Sequence, residues 1–579
     1  MKKKISKKLY SELIVDFLAD KKIKYVFDLS GGMIAFLEDA ISKKSGIECF
    51  PMHHEQASGF AAEGYARINQ NFGVAMATSG PGATNLMTAI GSCYFDSILE
   101  MFFVGHVHTD NIKKNEWIRQ EGFQESDIVS SVKPFTKYAV LVTNPNKIVY
   151  ELEKSFYIMK SGRPGPVLVN IPINLQRTEV NTETVEHFIG SNEYKKLEKE
   201  RSIISSKDLL SKIKHLDQLL KKSKAPLVIV GNGIRLSDTI FELNQFVKKN
   251  NLPVITSLLG IDSYPDDSNL IGLIGSNGNR DANIAFANAD LIIALGTRLD
   301  IRQTGEAKFF NPNAIVVHVD IDKHVLNYSI KSELNFEMDL KVFFKAVKNI
   351  STNKKLEWVS FIKNIKEQFT RPLEYSSKKV DPNTFVYELS KLSSKSSIIL
   401  ADVGQNQLWC AQSWRIKNGQ RLLFSGGMGA MGFSLPASIG AWCANKKSEL
   451  IVICGDGGLQ INIQEMETVS RNKIPLKLFI MNNKSLGMVR EFQDLYFNKN
   501  YQSTVVGYGC PDLKKIANAY DFDYIKINKL EKNDGIIKKA LSGNKPTLIE
   551  VNIDINAPLQ PKMVYGHALD DQSPYLDEK

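Results

Sequence analysis

The sequence predicts an α/β protein of three doubly wound domains, each built on a parallel sheet, and three observations lead there. Short apolar runs alternate with helical stretches along most of the chain, the pattern of strand, helix, strand units whose sheets carry helices on both faces. Two polar, aperiodic stretches interrupt that alternation. The length of 579 residues exceeds what one hydrophobic core usually organises, at about 100 to 200 residues per domain.

The first block, residues 1–183, offers "YVFDL", "FGVAMATS", "MFFVGHV" and "GPVLVNIP" as strands. Charged sequence from "QRTEVNTETVEHF" through "EYKKLEKERS" follows and reads as a linker. The second block, 201–350, repeats the pattern in "APLVIVGNG", "LPVITSLLG", "ADLIIALGTRLD" and "AIVVHVDID". A lysine-rich stretch, about 351 to 380, separates it from the third block, 381–579.

The third block contains "GDGGLQINIQEMETVSRNKIPLKLFIMNN", residues 455 to 483. Ile451, Val452, Ile453 and Cys454 precede it as a short β-branched run that stops at glycine, so a buried strand is expected to end there in a tight turn. Ile463, Met466 and Val469 recur every third residue and predict a helix; Pro475 ends it, and "LKLFIM" predicts the next strand. A crossover of this kind returns a parallel strand close by, so Asp456 and Asn483 both emerge at carboxyl ends of strands, where open α/β sheets bind ligands. One carboxylate and one amide oxygen make a poor protein cage, yet they suit Mg²⁺, which fills its octahedron with phosphate oxygens, a backbone carbonyl and water. The motif therefore asks for a phosphorylated ligand. Gly455, Gly457 and Gly458 are expected to let backbone approach a diphosphate. Alone, an Asp-Gly turn is common; the asparagine pair 24 residues later, spanning 458 to 481, gives the motif its weight.

Composition excludes several other classes. The net charge of +10 comes from lysines spread among many acids, without the concentrated basic face of a nucleic-acid binder. "MKKKISKKLY" is basic but leads into no apolar region, so neither a signal peptide nor an anchor is expected. No apolar run approaches the roughly 20 residues that span a bilayer. Six cysteines lack C-x-x-C spacing, which fits reduced thiols in a cytoplasmic protein rather than a metal framework.

"HHEQASGFAAEGYAR", residues 53 to 67, puts Glu55 at the start of a helix rich in small residues, followed by the glycine-rich turn "SGPGATN". A first-turn acid commonly does no more than complement the helix dipole. Here Ala57, Ser58, Gly59, Ala61 and Ala62 also permit close packing against another surface.

Taken in order, "HHEQ..GFAAEGYAR", "TSGPGATN", "GFQESDIV", "SGRPGPVLVNIP", "DVGQNQLW", "SGGMGAMGFSLPA", the GDG and NN pair and "NKSLGMVREFQ" resemble the acetohydroxyacid (acetolactate) synthases, a family of thiamine diphosphate enzymes. The resemblance covers most of the chain. It implies that the three blocks are a pyrimidine-binding, a central Rossmann-like and a diphosphate-binding domain. Thiamine diphosphate with Mg²⁺ is then the expected cofactor, with the cation on Asp456, Asn483 and Ser485. Glu55 matches the glutamate that bonds the aminopyrimidine, and Met431 the bulky side chain that keeps the cofactor bent. Gly32, Phe123 and Gln124 match residues lining the reaction centre; Gln405, Gly429 and Met488 match positions along the cofactor, with Gln405 near its diphosphate end.

The family's pyruvate donor loses CO₂, and its two-carbon unit is joined to a second carbonyl compound. Arg302, in "GTRLDIRQTG", resembles the arginine beside the acceptor carboxylate, for which a guanidinium supplies two parallel donors. A surface salt bridge is the plain alternative for it. Phe492 stands where the synthases carry a tryptophan, Met33 replaces a small residue and Asn406 a histidine. Such changes alter pocket volume, and a methylene-scale difference already shifts selectivity by about 1 to 3 kcal/mol. The middle block resembles the domain that carries FAD in these synthases, which implies FAD near Gly231, Gly233, Gly278, Arg298 and Asp320; "GSNG" departs there from the family's "GMHG". An NAD site is not expected, because no G-x-G-x-x-G opens a helix after a strand.

The first expectation is an acetolactate synthase, making 2-acetolactate and CO₂ from two pyruvates on the way to branched-chain amino acids. The second is a related carboligase with another acceptor, such as a keto sugar. A non-catalytic paralogue is a third, against which Glu55, Asp456 and Asn483 together speak. The resemblance also implies a homodimer or homotetramer, in which the glutamate of one subunit meets the diphosphate domain of another, and leaves a regulatory subunit open.

Overall fold

The computed structural model describes residues 6–200, 206–265, 267–530 and 535–575; the expected block limits at 1, 201 and 579 lie outside them. Three six-stranded sheets, parallel throughout, form the framework. In the first the strands lie in the order Glu48–Pro51, Tyr25–Leu29, Gly73–Ala77, Glu100–His106, Val167–Pro172, Tyr138–Leu141. The third repeats that order with Arg421–Phe424, Ile398–Ala401, Leu450–Gly455, Leu476–Asn482, Thr547–Asn552 and Asp523–Ile527. The second has its first strand, Pro226–Val230, in the centre, with Val254–Thr256 and Leu270–Leu273 on one side and Leu291–Leu295, Ile315–Asp320 and Leu334–Glu337 on the other. This is the doubly wound dinucleotide-type order. Strands such as "LVIV" and "LIIAL" are apolar throughout because helices cover both faces of each sheet.

In the third sheet the expected strand, helix, strand unit is present. Leu450–Gly455 pairs in parallel register with Leu476–Asn482, Gly455 opposite Met481. The crossover contains two short helices, Asp456–Ile461 and Glu465–Arg471, the second carrying the buried Met466 and Val469.

Both expected linkers differ from the sequence reading. Glu179–Asn181 pairs antiparallel with Lys7–Leu9, Phe188 is buried among Tyr150, Tyr157 and Tyr194, and Asn192–Glu200 is helical. In the second stretch, helix Leu356–Gln368 buries Trp358, Ile362 and Ile365 against the central sheet. A few well-spaced apolar residues anchor these segments even though their overall composition is that of a loop.

The first and third domains meet where helix Glu55–Asn69 lies on helix Ser434–Ala444, both almost wholly buried. The small residues are needed for this approach: a Cβ at Gly440 would sit 1.7 Å from the Ala61 carbonyl oxygen, and one at Gly64 would sit 2.0 Å from that of Ala437. Beside the crossing, the Arg67 guanidinium donates to the Phe424 carbonyl at 2.7 Å.

The central domain is fastened through Asp262, which accepts from Arg235 Nε at 3.0 Å, Arg421 Nε at 2.7 Å and the Leu422 amide at 3.1 Å. Burial pushes this carboxyl up, but Arg421 and Arg235 outweigh burial and hold it at about 2. A depressed carboxyl stabilises above its unfolded pKa and loses that contribution as pH falls through the folded value. Between pH 5 and 2 the protein is therefore expected to lose about 2 kcal/mol that an Asp262→Asn variant does not, at about 1.4 kcal/mol per pKa unit. Urea midpoints of the two proteins across that range check this.

Candidate active site

The carboxyl ends of the first and third sheets carry two groups of side chains. In the first sheet the strand order reverses around Tyr25–Leu29, and the segments leaving this switch point hold Gly32, Glu55 and the turn at Gly80. Glu55 opens its helix, is 6% exposed, and accepts a 2.9 Å hydrogen bond from the Asn85 amide. Gly82 borders its other oxygen, where a Cβ would stand 3.3 Å from Oε1. Thr78 links Gly82 to the Gly31–Met33 turn through a 3.3 Å bond from the Met33 amide. Gln124 packs over Gly80, with its own backbone in the left-handed region at φ 63°. Next to it Phe123 is 78% exposed. Gly32, Glu55, Phe123 and Gln124 thus share one neighbourhood.

The second group lies at the switch point of the third sheet. Asp456, Asn483, Ser485 and Gln405 are all buried. Asp456 follows one strand and Asn483 the next, as the crossover required. Asn483 Nδ2 donates to Gln405 Oε1 at 3.0 Å, and the Ser485 amide donates to Asn483 Oδ1 at 3.1 Å. The Ser485 hydroxyl is buried and has no hydrogen-bond partner among the described residues. Burial pushes the Asp456 carboxyl up to about 6, while the Tyr508 hydroxyl, donating at 2.8 Å, and nearby amides pull it down. A buried acid, an amide oxygen and an orphaned hydroxyl at the ends of two paired strands fit a divalent cation that takes its remaining ligands from a diphosphate and water. Among the described residues no three His, Cys, Asp or Glu gather as a metal site, so a cation here depends on this mixed set. Met431 reaches toward Gly457, Gly429 sits open beside it at φ 68°, and Met488 is 38% exposed on the next helix.

The three glycines of the motif also serve the packing of the protein itself. The Cβ that each lacks would point into protein: at Gly458 it would stand 2.7 Å from Asp402 Oδ1, at Gly457 2.7 Å from Leu486, and at Gly455 3.1 Å from Asn406. They let protein close on the motif from behind.

Asp402 went unassigned in the sequence. Its fully buried carboxylate accepts from the amides of Gly432, Ser434 and Val403 and from the Ser434 hydroxyl, at 2.8 to 3.0 Å. Burial raises its carboxyl above the usual range although these donors pull it down. It ties the Met431 loop to the GDG turn. Its signal was an acid directly after the apolar strand "IILA". Tyr508, which has no neighbouring motif, left none.

A cavity of about 380 Å³ opens at the carboxyl edge of the central sheet. Gly233, Arg298, Arg302 and Asp320 line it, together with Asp96 and Arg163 of the first domain and Gly426 of the third. Gly231 and Gly278 lie behind its wall, packed on backbone at 2.0 and 2.6 Å from where a Cβ would be. Burial pushes Asp320 up to about 6. Arg302 donates to the Gly426 carbonyl at 3.2 Å, and Arg298 pairs with Asp300 at 2.7 Å. Phe492 is elsewhere, 58% exposed and against Tyr496.

No hydrogen bond or ion pair among the described residues joins the Glu55 group to the Asp456 group. Gln56, adjacent to Glu55, contacts Asn462 at 3.3 Å.

Comparison with known proteins agrees with this architecture. Residues 9–131 match the N-terminal TPP-binding domain of thiamine pyrophosphate enzymes, 213–347 their central domain and 402–551 their C-terminal TPP-binding domain. The acetolactate synthase large subunit of Cyanidium caldarium is 32% identical over 96% of this chain and 94% of its own. That of Lactococcus lactis is 32% identical over the same shares. The isozyme 3 large subunit of Escherichia coli is 30% identical over 97% of each chain. Three matched domains in order, relatives aligned nearly end to end, and a cofactor motif at the switch point of its sheet place this chain in the acetolactate synthase large-subunit family of thiamine pyrophosphate enzymes.

Proposed function

We propose that the chain forms 2-acetolactate and CO₂ from two molecules of pyruvate, using thiamine diphosphate with Mg²⁺ at the third domain and FAD in the central cavity. The observation that carries the proposal is the buried group of Asp456, Asn483 and Ser485, a ligand set that suits a metal diphosphate and little else. When bound, thiamine diphosphate supplies a nucleophilic carbon able to take up a 2-keto acid and stabilise the charge left by loss of CO₂. Asp456, Asn483 and Ser485 hold the cation and, through it, the diphosphate. Met431 supports the cofactor between its ends, and Glu55 shares a proton with the pyrimidine ring. Arg302 offers a cation for the acceptor carboxylate. The relatives named as acetolactate synthases favour pyruvate as acceptor over a keto sugar.

The Glu55 group lacks a diphosphate site and the Asp456 group lacks a carboxylate for the ring, so each is completed by the other. Exposed apolar residues flank both: Phe123 beside the first, Met488, Phe492 and Tyr496 beside the second. Clustered apolar exposure of this kind marks a contact surface, and a second copy of the chain is the proposed occupant. A smaller regulatory partner is suggested by the relatives' description as large subunits. No helix among the described residues is long and apolar enough to cross a membrane.

The test is stoichiometric. Purified protein with thiamine diphosphate, Mg²⁺, FAD and pyruvate is expected to yield one acetolactate per CO₂. Release of CO₂ or acetaldehyde without acetolactate would move the assignment to another acceptor, and no pyruvate consumption would remove pyruvate as donor.

A further inference from the structure

An amide side chain can turn either its oxygen or its N–H groups toward a neighbour, and beside a cation the two choices have opposite signs. Asn483 and Gln405 form a chain of two such amides, 6% and 4% exposed, so water is not at hand to correct a wrong orientation. The Gln405 nitrogen faces Oε1 of Glu491 and the Ala557 carbonyl oxygen, the latter at 3.2 Å. Both only accept: one is a backbone carbonyl and the other a carboxylate paired with Lys562. The Gln405 oxygen must then face Asn483, whose nitrogen donates to it at 3.0 Å. That leaves the Asn483 oxygen free to point away from Gln405, where it takes the Ser485 amide at 3.1 Å. Gly487 makes the chain compact, since a Cβ there would overlap Gln405 Oε1 at 1.8 Å.

Glu491 is itself fixed from the far side. The Leu559 amide donates to Oε1 at 3.1 Å, and Lys562 Nζ lies 3.1 Å from Oε2. Lys562 belongs to the short antiparallel ribbon Lys562–Met563 with Gln572–Ser573 that follows the sheet.

We propose that Glu491 is a positioning residue: as an acceptor-only group it sets the direction of the Gln405 and Asn483 amides, so that Asn483 presents oxygen to a divalent cation. The inference rests on the reading that Asp456 and Asn483 hold that cation. A glutamine at 491 keeps the size of the side chain but can present either an oxygen or a nitrogen to Gln405, and the imposed direction is lost.

Calorimetric titration with Mg²⁺ in the presence of thiamine diphosphate tests this. Glu491→Gln is expected to weaken apparent Mg²⁺ affinity about tenfold, the lower end of what loss of an outer partner costs a metal site, and to change the rate at saturating Mg²⁺ less than the affinity. Gln405→Met breaks the same chain and is expected to show the same loss, with Glu491→Gln adding nothing in that background; if Glu491→Gln does not fold, Glu491→Met, which offers Gln405 no carboxylate, takes its place. Native affinity in Glu491→Gln, with Asp456→Ala unable to bind Mg²⁺, overturns the role of Glu491 and leaves the metal site standing. Native affinity in Asp456→Ala overturns the metal site and this inference with it.

Discussion

Glu55→Gln is expected to lower acetolactate formation by about 10² to 10⁴-fold, the range a positioned proton-transfer group supplies. The glutamine keeps the shape of the side chain and its contact with Asn85, so the helix start is undisturbed. What it removes is the shared proton, since an amide cannot exchange one with a ring nitrogen. Parallel assays of CO₂ and acetolactate on the purified variant measure the loss, and a rate within tenfold of native would take Glu55 out of the chemistry. The same variant tests whether the site lies between two copies. Glu55→Gln and Asp456→Ala chains are each expected to be inactive, yet after subunit exchange about half of the dimers are mixed, each with one intact site. About a quarter of native activity should return. Mixed dimers without activity would place both groups of one site in a single chain.

Asp402→Ala carries the second large effect. It removes one buried carboxylate and leaves the amides of Gly432, Ser434 and Val403 and the Ser434 hydroxyl without their acceptor. Each buried donor left without its acceptor costs about 1 to 3 kcal/mol. The cost falls on the loop that carries Met431, so cofactor affinity is expected to drop together with the urea midpoint. Asp402→Asn keeps a side-chain oxygen for some of these donors and should lie between the two. An alanine variant with native stability and native thiamine diphosphate affinity would show that the loop holds its shape without this carboxylate.

The fold was largely legible because parallel sheets buried on both faces leave continuous apolar runs, and the acids and amides at the strand ends follow directly from them. Asp456 and Asn483 could be brought together on paper because a crossover helix has limited reach. The neighbourhood of Glu55 and Gln124 could not be read in this way: they are far apart along the chain, and Gln124 joins the site through a left-handed residue packed on Gly80. That Gly458 also makes room for Asp402, more than fifty positions earlier, could not be seen from the motif alone. Segments such as 176–200 were misread because a single Phe188 and three tyrosines outweigh a charged composition.

The crossing of helices Glu55–Asn69 and Ser434–Ala444 also sets a delay during synthesis. The face of the first helix that accepts Ala437 is made long before Ala437 exists, with 372 residues between Gly64 and that position. At about 5 to 20 residues per second, the nascent first domain waits roughly 20 to 75 seconds with a smooth, uncovered strip of alanine and glycine. For that interval the strip is open to whatever chaperone or sister chain is nearest the ribosome.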